Sequence, residues 1–573
     1  MENIEQKINE SSKLLNNGKY QESINMLEKI LIEYEKSIDI KQKAIIYFHL
    51  STNYFYLKNY EKALDFLDDY ISINDKDSGA YNNKGYIYEL MKENNKAIEC
   101  YQKATQLIPD TEDFLRKKAN LLFRMYKLGE SVVGKAALEL YESLIKKNSE
   151  DYSLYYERSL LFNSMEKYDE QVKDLKKALE NKPDFEQGAF DLGNYYMNKG
   201  ENAIALKYFD QAIHNNNKYV EAYINKAIVH FRQNDVTNAL SSIEIATKIG
   251  PEKRESWLNK GIIAEQMGKY SDAIECYQKI IEMNNDDSVA YYLMGLSQYK
   301  NKDIKSALDS YTNALKINKN FVDALINRGN ILLDEERYTE ALSDYHRVLK
   351  INDNNSKAWF NTGVVNFKLE NFNEALECFK KAFISDPKDF YALTYQGHTL
   401  ISLNKYEDAI EVYSQSMKFK KDIPLILDNI IYCQMKLGWY IDAIKSFQEV
   451  LANDPTNERS ILNLIELYII TYDNNKALDF IKKIKIDNTN NKIIYKFLDV
   501  VLSCIEYNIQ IDQNEVISEL KFLSNNNPNI FNWSFEELKN WVLDPFNKKV
   551  EQQKKDYIIN LIKLIENWKN CSK

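Results

Sequence analysis

The stretch that decides the fold is Ser356–Lys388, SKAWFNTGVVNFKLENFNEALECFKKAFISDPK. Aromatic, small and apolar residues recur in it at helical spacing, first at Trp359, Gly363 and Phe367 and then at Phe372, Ala375, Phe379 and Ala382. Each set therefore falls on one face of a helix. Proline lacks the amide hydrogen that continues a helix, so Asp386-Pro387 marks an end. The stretch predicts two consecutive α-helices.

The same pattern recurs along the chain with a period of 34 residues. A period of this length indicates a repeat architecture, in which each helical pair buries its apolar face only against its neighbours. A looser first repeat begins near Ile4, and the others start at residues 44, 78, 112, 152, 186, 220, 254, 288, 322, 356, 390, 424 and 458. The sequence therefore predicts about fourteen repeats.

Two intervals between repeat starts are longer than the rest. In the first repeat, the extra residues predict a second helix that continues through Lys36. In the repeat from Glu112, six extra residues lie around residues 129–134. These residues predict a longer turn between the two helices of that repeat.

Small residues at two positions indicate how the helices of a repeat meet. Counted from each start, position 20 is alanine in twelve repeats, and only Ser23 and Gln171 differ. Position 8 is Gly, Ala or Ser in twelve, with Ile431 and Ile465 as departures. Small side chains let two helices approach closely. We expect the least regular packing around Gln171, Ile431 and Ile465.

These residues resemble the tetratricopeptide repeat family, whose helix-turn-helix units carry Trp, Leu-Gly, Tyr, Ala, Phe, Ala and Pro at these positions. The resemblance implies an all-α fold, a right-handed α-α superhelix of about 14 repeats, with the first helices lining a concave face. Its predicted extent is residues 1–491.

Residues 492–573 lose the repeat register but keep amphipathic helical spacing. A solenoid needs its last apolar face covered, so we predict that this segment is a C-terminal helical capping region. An alternative is a dimer or partner contact through Trp533, Trp541 and Trp568.

Composition favours an ordered protein in a reducing compartment. Hydrophobic residues make up 44% and charged residues 28% of the chain, and the net charge of -10 argues against coating nucleic acid. The six cysteines are scattered without a CxxC pair. With no apolar run near ~18 residues, we expect no membrane insertion. The predicted location is cytoplasmic.

The sequence carries no recognisable catalytic motif. Phosphate-binding loops, GxSxG, HExxH and paired Cys/His metal spacings are absent. The five histidines occupy five different repeat positions. We therefore expect no enzyme activity and no cofactor.

Position 6 of the repeats is the candidate ligand site. It is occupied by Asn83, Asp191, Asn225, Asn259, Asn327, Asn361, Asn429 and Asn463. An amide carries both a donor and an acceptor, so a ladder of amides can pair with a peptide backbone whatever its side chains. The pattern resembles the asparagine ladder of the O-linked N-acetylglucosamine transferases. The alternative is a packing preference of the family.

Together these features predict a non-catalytic scaffold that binds an extended peptide or a protein partner on the concave face. Two alternatives remain: a self-associating structural scaffold that uses the C-terminal helices, or a regulatory subunit of an enzyme complex. The expected partner is a protein or peptide, with homo-oligomers formed through the C-terminal helices as a second option and no nucleic acid.

Overall fold

The computed structural model describes residues 4–109, 111–419, 424–483, 492–506, 516, 518, 535–545 and 547–571. Within these ranges the regular structure is helical throughout. The chain divides into two compact units, Met1–Asn285 and Asp286–Lys573.

The first unit consists of eight helix pairs. Its helices are α1 Ile4–Asn16, α2 Tyr20–Glu33, α3 Ile40–Tyr56, α4 Tyr60–Ile73, α5 Ser78–Leu90, α6 Asn94–Leu107, α7 Glu112–Lys127, α8 Gly134–Lys147, α9 Tyr152–Ser164, α10 Tyr168–Asn181, α11 Glu186–Asn198, α12 Asn202–Asn215, α13 Val220–Arg232, α14 Val236–Ile249, α15 Arg254–Gln266 and α16 Tyr270–Met283. Each odd-numbered helix packs on the even-numbered helix that follows it.

In its described residues, the second unit has six pairs and, after them, three helices of at least eight residues. Its helices are α17 Ser288–Lys300, α18 Ile304–Ile317, α19 Val322–Asp334, α20 Tyr338–Ile351, α21 Ser356–Lys368, α22 Phe372–Ser385, α23 Phe390–Ser402, α24 Tyr406–Met417, α25 Pro424–Lys436, α26 Tyr440–Asn453, α27 Glu458–Ile470, α28 Asn474–Lys483, α29 Lys492–Glu506, α30 Glu536–Leu543 and α31 Gln552–Cys571. The predicted all-α fold of consecutive helix-turn-helix repeats is confirmed.

The predicted starts coincide with the first residues of the odd-numbered helices from α5 to α27. The first interval differs, because α2 ends at Glu33 and α3 begins at Ile40 rather than residue 44. The Asp39 side chain accepts a hydrogen bond from the amide of Gln42, whose own side chain accepts from the amide of Asp39. This capping box starts α3 one turn early. The predicted continuation of α2 through Lys36 is therefore wrong.

The turn inside each pair has one backbone geometry. The second residue after each first helix has positive φ: Gly18, Lys58, Lys92, Gly129, Glu166, Gly200, Asn234, Gly268, Lys302, Glu336, Glu370, Asn404, Gly438 and Tyr472. A left-handed residue at this place lets following amides reach back to the last carbonyls of the helix. Between α7 and α8, a 3₁₀ helix at Ser131–Val133 lengthens the turn as predicted.

The two helices of a pair meet across position 8. A Cβ added to Gly363 would lie 2.7 Å from Cε1 of Phe379 on the partner helix. In the repeat from residue 44, position 8 is Ser51 and the facing residue is Leu67, which has no ring. In these two repeats the residue at position 8 is matched to the bulk of the side chain opposite it, whereas the repeat from residue 424 has the large residues Ile431 and Phe447 at the two positions.

Helices after the last repeat contact it. Helix α29 packs against α27 and α28, and α30 packs against α27. The amide of Leu538 donates to Oε1 of Glu466 in α27 at 3.1 Å, and Trp541 packs on Tyr472 with ring centres 5.5 Å apart. The predicted boundary at residue 491, Trp533 and the side chain of Trp568 lie outside the described residues.

The departures Ile431 and Ile465 belong to the same apolar core as α29 and α30. Both side chains are buried in it. None of the helices in the described ranges is long and apolar enough to cross a membrane.

Candidate functional site on the first helices

First helices of consecutive repeats touch one another, as α11 and α13 do in the first unit and α19 and α21 in the second. We call the surface formed by the odd-numbered helices α1–α27 the first-helix face, taken separately in each compact unit. Position 6 lies on these helices and meets position 9 of the preceding repeat.

Three of the predicted site residues bond to position 9 of the repeat before. Asn225 donates from Nδ2 to Oδ1 of Asn194 at 2.6 Å. Asn361 donates in the same way to Asn330 at 2.7 Å. Nδ2 of Asn429 lies 3.3 Å from Nε2 of His398. These contacts hold the side chains in place between adjacent first helices.

Three further asparagines donate either to a carbonyl of their own helix or to a side chain at position 5 of the preceding repeat. Asn327 donates to the hydroxyl of Tyr292 at 3.3 Å. Asn259 and Asn463 each donate to a carbonyl of their own helix, at Glu255 and Arg459. The structure therefore gives six of the eight position-6 side chains an amide donor bond within the chain.

Asn83 differs from the other asparagines at position 6. Its side chain is exposed and makes no hydrogen bond to any described residue. It lines a cavity of about 210 Å³ together with Phe48, Phe55, Tyr56 and Tyr86. Tyr56 is 53% exposed and Tyr86 is 43% exposed. An unused amide therefore borders an open aromatic cavity.

Asp191 is the one carboxylate among the predicted site residues. Its Oδ1 accepts from Nε2 of Gln187 at 3.0 Å, and the hydroxyl of Tyr156 donates to it as well. Gln187 is itself oriented by the Tyr219 hydroxyl, 2.6 Å from its Oε1. Burial raises the pKa of Asp191 above its usual value, and these hydrogen bonds offset part of that effect.

Aromatic residues at position 5 serve packing between repeats. The ring of Phe190 lies 5.0 Å from Tyr219, that of Tyr292 lies 4.9 Å from Phe321, and that of Phe360 lies 5.2 Å from Tyr395. Each contact joins one repeat to the start of the next. These rings stabilise the spacing of the first helices.

Position 7 and position 23 carry ion pairs that the repeat pattern did not reveal. Arg158 binds Asp174 through two hydrogen bonds of 2.7 Å. Arg328 binds Asp344 with the same geometry and distances. In the sequence, both pairs are visible as an arginine at position 7 and an aspartate at position 23 of the same repeat.

Burial shifts the pKa of several cysteine and histidine side chains. Burial raises the pKa of the Cys100, Cys276 and Cys378 thiols to about 11, which keeps them protonated near neutral pH. Burial also lowers the pKa of His49 and His398. Among the described residues, no cluster of three or more His, Cys, Asp or Glu side chains could hold a metal ion.

Two curated proteins illustrate the sequence similarity. A segment of 82 residues is 34% identical to the E3 SUMO-protein ligase RanBP2 of Pan troglodytes, covering 14% of this chain and 2% of that protein. RANBP2-like and GRIP domain-containing protein 8 of Homo sapiens is 33% identical over 82 residues, which is 14% of this chain and 5% of that protein. The chain thus spans only a small part of these relatives.

Similar solved structures include YrrB, described as a TPR protein with an unusual peptide-binding site. It is 26% identical with a TM-score of 0.29, covering 32% of this chain and 95% of its own. The APC/C hetero-tetramer Cut9-Hcn1 is 12% identical with a TM-score of 0.34, covering 74% of this chain and 95% of the matched chain.

Sequence profiles described as tetratricopeptide repeat match residues 44–77, 78–111, 152–185, 190–254, 255–287, 288–321, 322–355 and 356–389. These matches cover just over half of the chain and follow the register of the helix pairs. The chain belongs to the tetratricopeptide repeat family.

Proposed function

We propose that this protein is a non-catalytic scaffold that binds an extended peptide segment of a partner protein along the first-helix face. The side chains proposed to contact that segment are Asn83, Asp191, Asn225, Asn259, Asn327, Asn361, Asn429 and Asn463. Membership of a family whose members bind peptides and proteins supports the general role. The contacts with the segment are our own inference.

The observation that carries the proposal is the way neighbouring repeats hold these amides. An asparagine side chain can make four hydrogen bonds, two as donor and two as acceptor. Asn225 and Asn361 each donate one hydrogen bond to the preceding repeat. The second donor and the carbonyl oxygen of Asn225 are left for a peptide backbone, whereas Asn361 also hydrogen-bonds to the hydroxyl of Tyr345. Because the side chain is already ordered, binding costs less conformational entropy.

The aromatic cavity beside Asn83 supports the same role. Large apolar side chains that enter such cavities supply most of the binding energy in many interfaces. A bound segment could place one such side chain against the rings of Phe55 and Tyr86, while Asn83 bonds to its backbone. The cavity of about 210 Å³ fits a side chain rather than a whole ligand.

The C-terminal helices are proposed to act as a cap on the solenoid, with the domain boundary at residue 491. Leu538 and Val542 of α30 are buried in the core that α27 contributes to. An apolar face that is covered within the chain is less available for self-association. This observation favours the cap over the alternative of a self-associating scaffold.

Replacing Asn259, Asn327 and Asn361 together by Ala should weaken partner binding at least about tenfold, because three backbone contacts are lost. Affinity purification and mass spectrometry would first identify the partner. Its Kd would then be measured by calorimetry with the wild-type chain and the variant. Circular dichroism should show nearly unchanged helix content, since these side chains are only half-buried and alanine is a strong helix former.

The matched control replaces Asn215, Asn313 and Asn373, which lie on second helices, by Ala. This variant should bind with the wild-type Kd. If the first variant also keeps the wild-type Kd, the amide ladder does not bind the partner.

A further inference from the structure

A polar groove of about 980 Å³ opens in the first unit beside the turn between α9 and α10. One wall is that turn with the start of α10, and the other is the face of α11 that carries Asp191. The groove therefore borders the first-helix face, and a position-6 side chain forms part of its wall.

Gln171 lines this groove at a position where twelve repeats have alanine. Only 8% of Gln171 is exposed, and its side-chain amide has no hydrogen-bond partner among the described residues. The other departure at this position behaves differently, because Ser23 donates to the carbonyl of Ser11 at 2.9 Å. The amide nitrogen and oxygen of Gln171 are not enclosed by protein, so they stay open to the groove. A ligand in the groove would supply the missing partner.

Asp191 lacks a counter-ion, unlike comparable carboxylates in this chain. The buried Asp174 and Asp344 are each bound by two nitrogens of an arginine. Asp191 makes no ion pair with any residue that the structure describes, and its hydrogen bonds come from the neutral Gln187 and Tyr156. Desolvation of the charge, which also raises the pKa of Asp191, makes an incoming cation favourable.

The mouth of the groove carries a net negative charge. Glu166, Asp169 and Glu170 are exposed there and make no ion pair within the described part of the chain. Two lysines also line the groove. Lys199 is paired with Glu201 at 3.0 Å, outside the groove, which leaves Lys167 as the lining cation with no ion pair to a described residue.

We propose that this groove binds the side chain of an arginine in the bound peptide segment, with its guanidinium on Asp191 and Gln171. The proposal rests on the peptide-binding role proposed above and adds a side-chain preference to it. A guanidinium offers five N–H donors in a plane, so it can satisfy the carboxylate and the amide oxygen together. Tyr168, which is exposed and also lines the groove, provides a ring for one of its faces.

The test compares two fluorescein-labelled alanine-serine peptides that differ at one central residue. One peptide carries arginine and the other carries citrulline, which has nearly the same shape without the charge. Fluorescence anisotropy with the full chain should show about tenfold tighter binding of the arginine peptide, because a charge-assisted contact is lost with citrulline. Equal curves for the two peptides, including two flat ones, would overturn the proposal.

Two variants test whether the preference for the arginine peptide arises at Asp191 and Gln171. Asp191→Asn and Gln171→Ala each restore the residue that most other repeats carry, so the fold should tolerate them. Asp191→Asn should remove most of the preference for arginine, and Gln171→Ala should reduce it severalfold. The control Glu275→Gln removes one exposed charge from a second helix and should leave the ratio unchanged.

The ratio of the Kd values for the citrulline and arginine peptides distinguishes a failure of the arginine site from a failure of the amide ladder. If the variant lacking Asn259, Asn327 and Asn361 binds both peptides as the wild type does, the amide ladder fails while the arginine site stands. If Asp191→Asn keeps the full ratio, the arginine site fails, whatever the effect of the ladder variant.

Discussion

Gly363→Ser is expected to destabilise its repeat by about 1–3 kcal/mol, the usual cost of overpacking a core. The new Cβ would lie 2.7 Å from Cε1 and 2.8 Å from Cδ1 of Phe379, whose ring is fully buried and cannot move away. Local stability is the right quantity, because a long repeat array does not unfold in a single step. Hydrogen exchange of the α21 and α22 amides, followed by mass spectrometry, would measure it.

The same prediction has an internal control in a second repeat of this chain. Ser51 faces Leu67, and its hydroxyl donates to the carbonyl of Ala63 at 2.8 Å. Phe379→Leu alone should also destabilise, because it leaves a cavity. Combining it with Gly363→Ser recreates the pair from the earlier repeat, so the double variant should lose less than the sum by at least about 1 kcal/mol. Strict additivity would contradict the matching of position 8 to its partner.

Asp344→Ala is expected to cost about 3–5 kcal/mol of local stability in the repeat formed by α19 and α20. The Arg328 guanidinium donates to both oxygens of Asp344 at 2.7 Å, and only 2% of Asp344 is exposed. Truncation leaves the guanidinium, with 19% of its side chain exposed, without its bidentate acceptor. Faster hydrogen exchange in α19 and α20 would report the loss.

The next repeat offers the matched control for this pair. Its residues at the two positions are Thr362 and Cys378. Arg328→Thr combined with Asp344→Cys should be far less destabilising than Asp344→Ala, because no charge is left buried. A loss below about 1 kcal/mol for Asp344→Ala would mean that the pair behaves like a solvent-exposed one.

The repeat register could be predicted from the sequence because it depends on local spacing alone. Gly363, Phe379 and Pro387 define a helix, its close neighbour and its end through side-chain size and backbone chemistry. The start of α3 was missed because the capping box of Asp39 and Gln42 acts before the first periodic residue. The sequence period shows how often the helices recur, whereas the first residue of an individual helix depends on its N-terminal capping residues.

The candidate site was predictable only in part. The spacing placed position 6, which is Asn361 in one repeat, on the same face of each first helix. The bond from Asn361 to Asn330 depends instead on the distance and rotation between adjacent first helices. The sequence showed that Gln171 departs from alanine and led us to expect irregular packing. That the side chain lines an open groove beside Asp191 required the three-dimensional arrangement of α10 and α11.

The central claim is that a partner binds on the first-helix face. Hydroxyl-radical footprinting of the chain with and without its purified partner tests this most directly. Tyr56, Tyr86 and Tyr299 are exposed on first helices, whereas Met283 and Ile441 are exposed on second helices. The partner should protect the tyrosines and leave Met283 and Ile441 oxidised at the rates of the free chain. Protection of Met283 and Ile441 with unchanged tyrosines would contradict it.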